Sequence, residues 1–422
     1  MRIGLIGHNS IEYIEKLFEI WNSGNSAVLI DYDTPPSVIR QIIDEYKIQH
    51  CYLEDQLCHL FDNSPQLDIK QYSIEYKMPC ILPQSVRSRF NERYEENEAV
   101  VINSSGTTGK CKGISLSHRA INNNADSIID YMKPKDSDCL YLNKKINHCS
   151  SLVGELLVAL KSGADILVSQ IIIPPRVAFQ NINNFNISIL CCNPTLIKFY
   201  ADEAERTNSF PKSVNVVYTC GDMISEKQIT RARNIFKCPV YNSYGQTECG
   251  PRITAQTEQC CHSNSAGKPI KNVAIKIDKS KEILVKTNAL FSGYTNTDSH
   301  FAEWHNTGDL GYIDENGELF VLGRKDNMIV IGSHNIFPEV IEKTIIEKTE
   351  IIDCVVYKNE TDLVCDYISK SDINQVNITK AIKSYLMPYE IPHIYRKIEK
   401  IPTNKNGKKV RITYKENDYG TR

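Results

Sequence analysis

Apolar positions in the first hundred residues fall into short runs separated by stripes of helical spacing. Residues 3–6, 27–30 and 51–53 are apolar runs, short enough to predict strands. Between the first two, Ile14, Leu17, Phe18 and Trp21 recur at three- and four-residue intervals and predict one buried helix face, with Ser10 placed to cap it. Pro35-Pro36 punctuates the chain, and 38–46 again reads as helix. Strand-helix-strand alternation implies a parallel sheet covered by helices. The acidic stretch 91–98 reads as a solvated loop. Apolar runs at 99–102, 165–168, 187–192, 214–219 and 240–243 continue the alternation. From about residue 273 the strands shorten. There, 311–313 and 319–322 flank Asp314-Glu315-Asn316-Gly317, where Asn-Gly predicts a primed hairpin turn. The region after Gly323 predicts two or three short strands and two helices.

Composition narrows the classes. At roughly 100–200 residues per domain, 422 residues predict two to four domains. Lys plus Arg is 49 and Asp plus Glu is 51, a balance that argues against a protein held on nucleic acid or anionic lipid by bulk charge. Mean hydropathy is −0.34, and no apolar run approaches the ~20 residues of a membrane span. The N-terminal apolar stretch is too short for a secretory signal. The 15 cysteines lack C-x-x-C spacing, so free thiols in a reducing cytoplasm are expected rather than disulfides or zinc.

Four segments carry chemistry. In the first, the apolar run ending at Ile102 enters Asn103-Ser104-Ser105-Gly106-Thr107-Thr108-Gly109-Lys110-Cys111-Lys112-Gly113. Hydroxyls, glycines and two lysines in one loop suit a polyphosphate. It is not a Walker loop, because Ser104 stands at the first-glycine position and Cys111 at the Ser/Thr position. The second, Tyr241-Asn242-Ser243-Tyr244-Gly245-Gln246-Thr247-Glu248, follows a strand and combines an aromatic ring, a hydroxyl and a carboxylate. Those groups suit base stacking, phosphate contact and Mg²⁺ ligation. The third joins Thr307-Gly308-Asp309 to Gly323-Arg324-Lys325-Asp326, where an Asp can accept from ribose hydroxyls and an Arg can add a charge-assisted bond. The fourth, Asn404-Lys405-Asn406-Gly407-Lys408, presents a lysine after an Asn-Gly turn. Taken singly, the alternatives are a flexible Gly/Ser/Thr loop, a polar turn, a hairpin with surface charge and a basic tail.

In this order the segments resemble the ANL superfamily of adenylate-forming enzymes, which comprises acyl- and aryl-CoA synthetases, adenylation domains and luciferases. The resemblance runs from about Gly4 to Arg411 and includes Ala266-Gly267-Lys268-Pro269 and Phe291-Ser292-Gly293-Tyr294. It implies a large multi-sheet α/β N-terminal domain, 1–325, and a small mobile α+β C-terminal lid domain, 326–422. It implies a ligase that activates a small carboxylic acid with ATP as an acyl-adenylate, releases pyrophosphate and passes the acyl group to CoA. A carrier-protein phosphopantetheine or an amine is the alternative acceptor.

By the same resemblance, Ser104, Ser105, Gly106, Thr107, Thr108, Gly109, Lys110 and Lys112 would wrap the phosphates. Thr108 and Glu248 would hold Mg²⁺. Thr247 would meet the α-phosphate, Tyr244 would stack on adenine and Gly221 would line its slot. Asp309 and Arg324 would bind ribose. Lys408 would bridge the carboxylate and α-phosphate. Asp326 matches the hinge, and Gly332 would let a pantetheine arm pass. His148 matches a histidine beside the substrate carboxylate. Ser150 and Ser151 stand where amino-acid-activating relatives place an Asp, which argues against an α-amino acid. Tyr218-Thr219-Cys220 and Asn242-Ser243 would line the acyl pocket, and their mid-sized polar character favours a short or aromatic acid. The family's opening strand-helix region looks missing and one sub-domain trimmed, which predicts an apolar face covered in a homodimer.

Overall fold

A computed structural model describes the chain except residues 61–66, 77, 106–110, 171–173, 296–302, 332–333, 360–361, 404–408 and 412–422, and except the side chains at 60, 104, 105, 111 and 175. The strand Arg2–Ile6 pairs in parallel with Ser26–Ile30 on one side and His50–Glu54 on the other. Between the first two runs the helix Ile11–Asn22, whose first turn is capped by Ser10 Oγ accepting from Tyr13 N at 3.0 Å. Its buried face holds Ile14, Leu17, Phe18 and Trp21, as the spacing predicts, and Trp21 Nε1 donates to Ala99 O at 2.8 Å. Pro36 opens the next helix, Pro36–Glu45, where its missing N–H costs no intrahelical bond.

Ser26–Ile30 also pairs in parallel with Glu98–Ser105, which turns back antiparallel as Cys111–Ser117. With Asp68–Tyr72 and Gly293–Tyr294 at its edges, this sheet has seven strands. A second, eight-stranded sheet is parallel through Val240–Tyr244, Val216–Thr219, Ile189–Cys192, Cys139–Leu142 and Asp165–Val168. One hydrophobic core joins the two sheets. It holds Leu29 and Ile102 from the first, Leu142 and Ile166 from the second, and Ile121, Ile128 and Leu156 from the helical layer. Within that layer, Leu152–Leu157 forms a π-helical turn with every residue buried; such turns often sit at functional sites.

A four-stranded antiparallel sheet follows, in the order Val273–Ile277, Glu282–Thr287, His305–Ile313, Leu319–Arg324. Its last hairpin departs from the expected primed turn. Gly317 has φ +78°, but Glu315 and Asn316 are absent from the left-handed residues, and Gly317 N bonds Asp314 O at 3.0 Å. The Asn-Gly pair closes a type I turn followed by a left-handed glycine, because Asp314 Oδ1 accepts from the backbone of Asn316 and Glu318 and holds the tighter form.

After Arg324 the strands belong to separate sheets: Ile329–Ile331 with His334–Ile336, and Asp353–Asn359 with Asp362–Ile368 and Ile394–Lys397. That is five strands, not two or three. The hairpin 353–368 is hidden from a periodicity reading because Cys354–Tyr357 and Leu363–Tyr367 are buried on both faces, which removes the alternation of a half-exposed strand. The helices Pro338–Lys348 and Gln375–Ile382 supply their apolar faces to the same core.

The N-terminal strand is tied by charge as well as by pairing. Arg2 Nε and Nη2 donate to the two Glu98 carboxylate oxygens at 2.8 and 2.7 Å, and Ser115 Oγ adds a 2.6 Å bond. Burial works against the Glu98 carboxylate, but the bonds from Arg2 and Ser115 outweigh it and hold its pKa below the ordinary value. A depressed folded pKa gives stability that is full above the unfolded value of about 4.3 and is lost as pH falls through the folded one. Glu98→Gln should therefore flatten the stability–pH profile below about pH 4. An unchanged acid limb, measured by urea unfolding, would count against this tie.

Candidate active site

The site forms at the carboxyl ends of the second sheet's parallel strands, where open α/β sheets bind ligands. Val240–Tyr244 runs into a turn that Gly245 makes possible, since a Cβ there would lie 2.2 Å from Pro251 O. A short 3₁₀ turn, Thr247–Cys249, then presents Glu248. Tyr244 donates its hydroxyl to Asp309 Oδ2 at 2.6 Å. Burial, and then the Asp309 charge, push the Tyr244 phenol well above its ordinary pKa, so it stays a donor at neutral pH. Arg324 Nη1 reaches the other Asp309 oxygen at 3.1 Å and Thr307 O at 3.0 Å. Tyr244, Asp309 and Arg324, which are distant in sequence, thus form one connected chain. The carboxylate keeps lone pairs for further donors. If this carboxylate holds the ribose of ATP, as the sequence resemblance implies, Tyr244→Phe should raise the KM for ATP by roughly tenfold, because Asp309 loses a hydrogen bond to its charged oxygen; an unchanged KM would show that this contact does not orient Asp309.

Residues expected on the phosphate side converge on the same turn. Glu248 Oε1 accepts from Tyr294 Oη at 3.1 Å, and Phe291 N bonds Glu248 O at 2.8 Å. Lys112 Nζ lies 5.4 Å from the Tyr294 ring centre. Gly221 has φ +95°, with open space on its Cβ side. Thr247 and Glu248 are half-buried, and Asp326 is exposed with Oδ2 3.8 Å from Arg324 Nη2. Glu248 with neighbouring hydroxyls is a hard oxygen set of the kind Mg²⁺ takes. Gly106, Thr107, Thr108, Gly109, Lys110, Gly332 and Lys408 lie outside the described residues, as do the Ser104 and Ser105 side chains.

His148 precedes the short helix Cys149–Ser151, and its backbone N–H bonds Lys145 O at 3.1 Å. Glu248 and this segment are neighbours: burial pushes the Cys149 thiol up to about 12, and the Glu248 charge adds to it. The expected acyl-pocket residues differ in what they present. Asn242 Nδ2 bonds Ser265 O at 3.0 Å and Ser243 Oγ bonds Thr219 O at 2.9 Å, so both are committed to the framework. Tyr218 packs edge-on against Tyr131 and tilted on Tyr241.

Several groups were not legible as site residues. In the sequence Tyr294 stands out only as the last residue of Phe291-Ser292-Gly293-Tyr294. His305 packs edge-on against Phe291 and burial lowers its pKa; its place two residues before Thr307 is the signal that could have found it. Glu155, fully buried, contacts Lys144 Nζ, which also donates to Cys191 O at 3.0 Å. Burial works against the Lys144 ammonium, but Glu155 outweighs it and keeps its pKa above the ordinary value.

The fold is that of the adenylate-forming enzymes. The chain superposes on the anthranilate CoA ligase AuaEII in complex with anthranoyl-AMP with TM-score 0.85 at 19% identity, covering 97% of this chain and 85% of that one. It superposes on O-succinylbenzoate Coenzyme A synthetase (MenE) of Bacillus subtilis, in complex with ATP and magnesium, with TM-score 0.79 at 20% identity, covering 96% and 87%. Residues 1–295 match the family model described as AMP-binding enzyme, and the chain belongs to that family. Among curated relatives, it is 24% identical to the 2-succinylbenzoate–CoA ligase of Lactococcus lactis over 420 residues, 97% of this chain and 89% of that one. It is also 24% identical to gramicidin S synthase 1 of Brevibacillus brevis over 96% of this chain and 39% of that one. Among the described residues, no helix is long and apolar enough to cross a membrane.

Proposed function

We propose that the chain activates a small carboxylic acid with ATP, forming an acyl-adenylate and pyrophosphate, and transfers the acyl group to the thiol of CoA. The observation that carries this reading is the convergence of Tyr244 and Glu248 from one segment with Asp309 and Arg324 from another at the carboxyl end of the strand Val240–Tyr244. Family membership and the CoA-ligase names of relatives support the same chemistry.

In this reading Tyr244 faces adenine, Asp309 and Arg324 hold ribose, and Gly221 lines the nucleotide slot. Ser104–Ser105, Gly106, Thr107, Gly109, Lys110 and Lys112 cradle the phosphates, and Thr247 meets the α-phosphate. Thr108 and Glu248 would hold Mg²⁺, which offsets phosphate charge. His148 positions the acid, and Lys408 stabilises the charge that develops as carboxylate and α-phosphate join. Two anions must approach, so the cations Lys110, Lys112, Arg324 and Lys408 serve a common electrostatic need. Residues 1–325 form the body and 326–422 the lid, which turns at Asp326 between half-reactions and brings Gly332 to the thiol path. The 14 described cysteines are all free, which suits a cytoplasmic enzyme.

ATP–pyrophosphate exchange over a panel of carboxylic acids tests the first step, and added CoA tests the second. No exchange with any acid would sink the reading. Transfer to a phosphopantetheinyl carrier protein but not to CoA would move the acceptor to a carrier, and light scattering on the same sample would decide whether the chain forms the homodimer.

A further inference from the structure

Among the described residues Arg252 is the largest fully buried side chain, 1% exposed. It lies four residues beyond Glu248 in sequence. Its Nη1 donates to the adjacent Pro251 O at 2.9 Å, the guanidinium also faces the Tyr131 hydroxyl, and its Nε has no partner among the described residues. The guanidinium rests over Gly154 of the π-helical turn, with Nη2 3.5 Å from where a Cβ would stand, an ordinary van der Waals distance. That turn begins four residues after His148.

The surroundings leave its charge unbalanced. Glu155, the residue after Gly154, is already in contact with Lys144. Lys144, Glu155 and Arg252 therefore bury two cations with one carboxylate. Among the described residues Arg252 makes no ion pair. The nearby thiols and phenol do not compensate. Burial pushes Cys191 and Cys149 up to about 12 and Tyr131 well up, so all three are neutral near pH 7. A buried charge without a partner is costly, and proteins pair such groups or use them to bind a ligand. Arg252 thus meets the turn that follows His148 and lies within charge range of Cys220, in the Tyr218-Thr219-Cys220 segment expected to wall the acyl pocket. On the same segments Ser151 Oγ and Thr219 Oγ1 are buried without partners.

We propose that Arg252 is a specificity-determining residue that receives a second carboxylate on the acid, remote from the one activated. The substrate class is then a dicarboxylic acid. This rests on the acid-activating reading above. The first carboxylate meets ATP beside His148. The second supplies the negative charge that the Lys144–Glu155–Arg252 group lacks.

The test uses matched acids, butyrate against glutarate and benzoate against isophthalate, in ATP–pyrophosphate exchange. Wild type should favour the dicarboxylic member of at least one pair by roughly 10- to 100-fold in kcat/KM, the range of a charge-assisted hydrogen bond. Arg252→Met should collapse that ratio. Arg252→Lys, which keeps the charge and loses the fork geometry, should lower it about tenfold, and it carries the test if the Met variant does not fold. A wild-type preference for the monocarboxylic members would overturn the proposal, as would an equal loss on both members in the variants. Absence of exchange with every acid would strike the acid-activating reading instead. In that case the shift in melting temperature with glutarate or isophthalate, without ATP, decides the role of Arg252. Stabilisation of wild type but not of the variant supports it, and equal shifts reject it.

Discussion

Lys408→Ala should lower ATP–pyrophosphate exchange by about 10²- to 10³-fold, the cost of removing one preorganised donor from a developing charge. Thioester formation from supplied acyl-adenylate should persist. The frame around residue 408 explains why the loss should be confined to one step. Thr403 and Lys409 form an antiparallel bridge, and Val410 N bonds Pro402 O at 2.9 Å. Lys409 Nζ reaches Asp353 at 2.7 Å and Cys354 O at 2.6 Å. Burial works against its charge, but Glu342 and Asp353 outweigh burial and hold its pKa up. Arg411 adds bonds to Glu342 at 2.9 Å and Glu339 at 3.2 Å. The backbone on either side is thus anchored without residue 408, and Lys409 is too committed to substitute for it. Asp326→Pro, which stiffens the turn Lys325–Asn327, should show the opposite pattern, with exchange kept and transfer lost. Equal loss of both steps in both variants would defeat the two-arrangement reading.

Glu155→Ala should be the most destabilising single change in the body of the molecule. It leaves the Lys144 ammonium buried with Cys191 O as its remaining bond and Arg252 nearby. Breaking one side of a buried ion pair costs about 3–5 kcal/mol. The readout is the midpoint of the first urea unfolding transition, since a chain of this size need not unfold in one step. Replacing both partners, Lys144→Met with Glu155→Leu, should recover most of the loss, because two apolar groups of similar volume need no partner. An unshifted midpoint for Glu155→Ala would show that water reaches Lys144.

The two predictions draw on different amounts of sequence information. Lys408 stands in a motif whose order and spacing can be read directly. The strands 27–30, 99–102 and 165–168 were equally legible, because short apolar runs between capped helices have few other solutions. Ser10 and Trp21 belong to this class. Lys144, Glu155 and Arg252 do not. Each is a charged residue in an unremarkable stretch, where a solvated side chain is the ordinary expectation. Their meaning depends on a contact with Gly154, 98 positions before Arg252, and on a π-helical turn that shifts the facing of side chains. Neither leaves a periodic trace. The Asn-Gly turn misled for a related reason: the dipeptide allows the primed form, but Asp314 decides between forms through bonds that only the closed hairpin makes.

The seam between helices Glu226–Phe236 and Pro338–Lys348 carries a last implication. Among the described residues, Glu226 N donates to Glu347 Oε1 at 3.3 Å and Lys227 Nζ to Thr349 O at 3.1 Å across it. At about 0.5–1.5 kcal/mol each, such bonds hold this seam together by roughly 1–3 kcal/mol. A bias of that size corresponds to a population ratio of about 5- to 150-fold. On the lid reading proposed above, a seam of this strength yields to a modest difference in nucleotide affinity between two positions of residues 326–422, so release of pyrophosphate would suffice to free it.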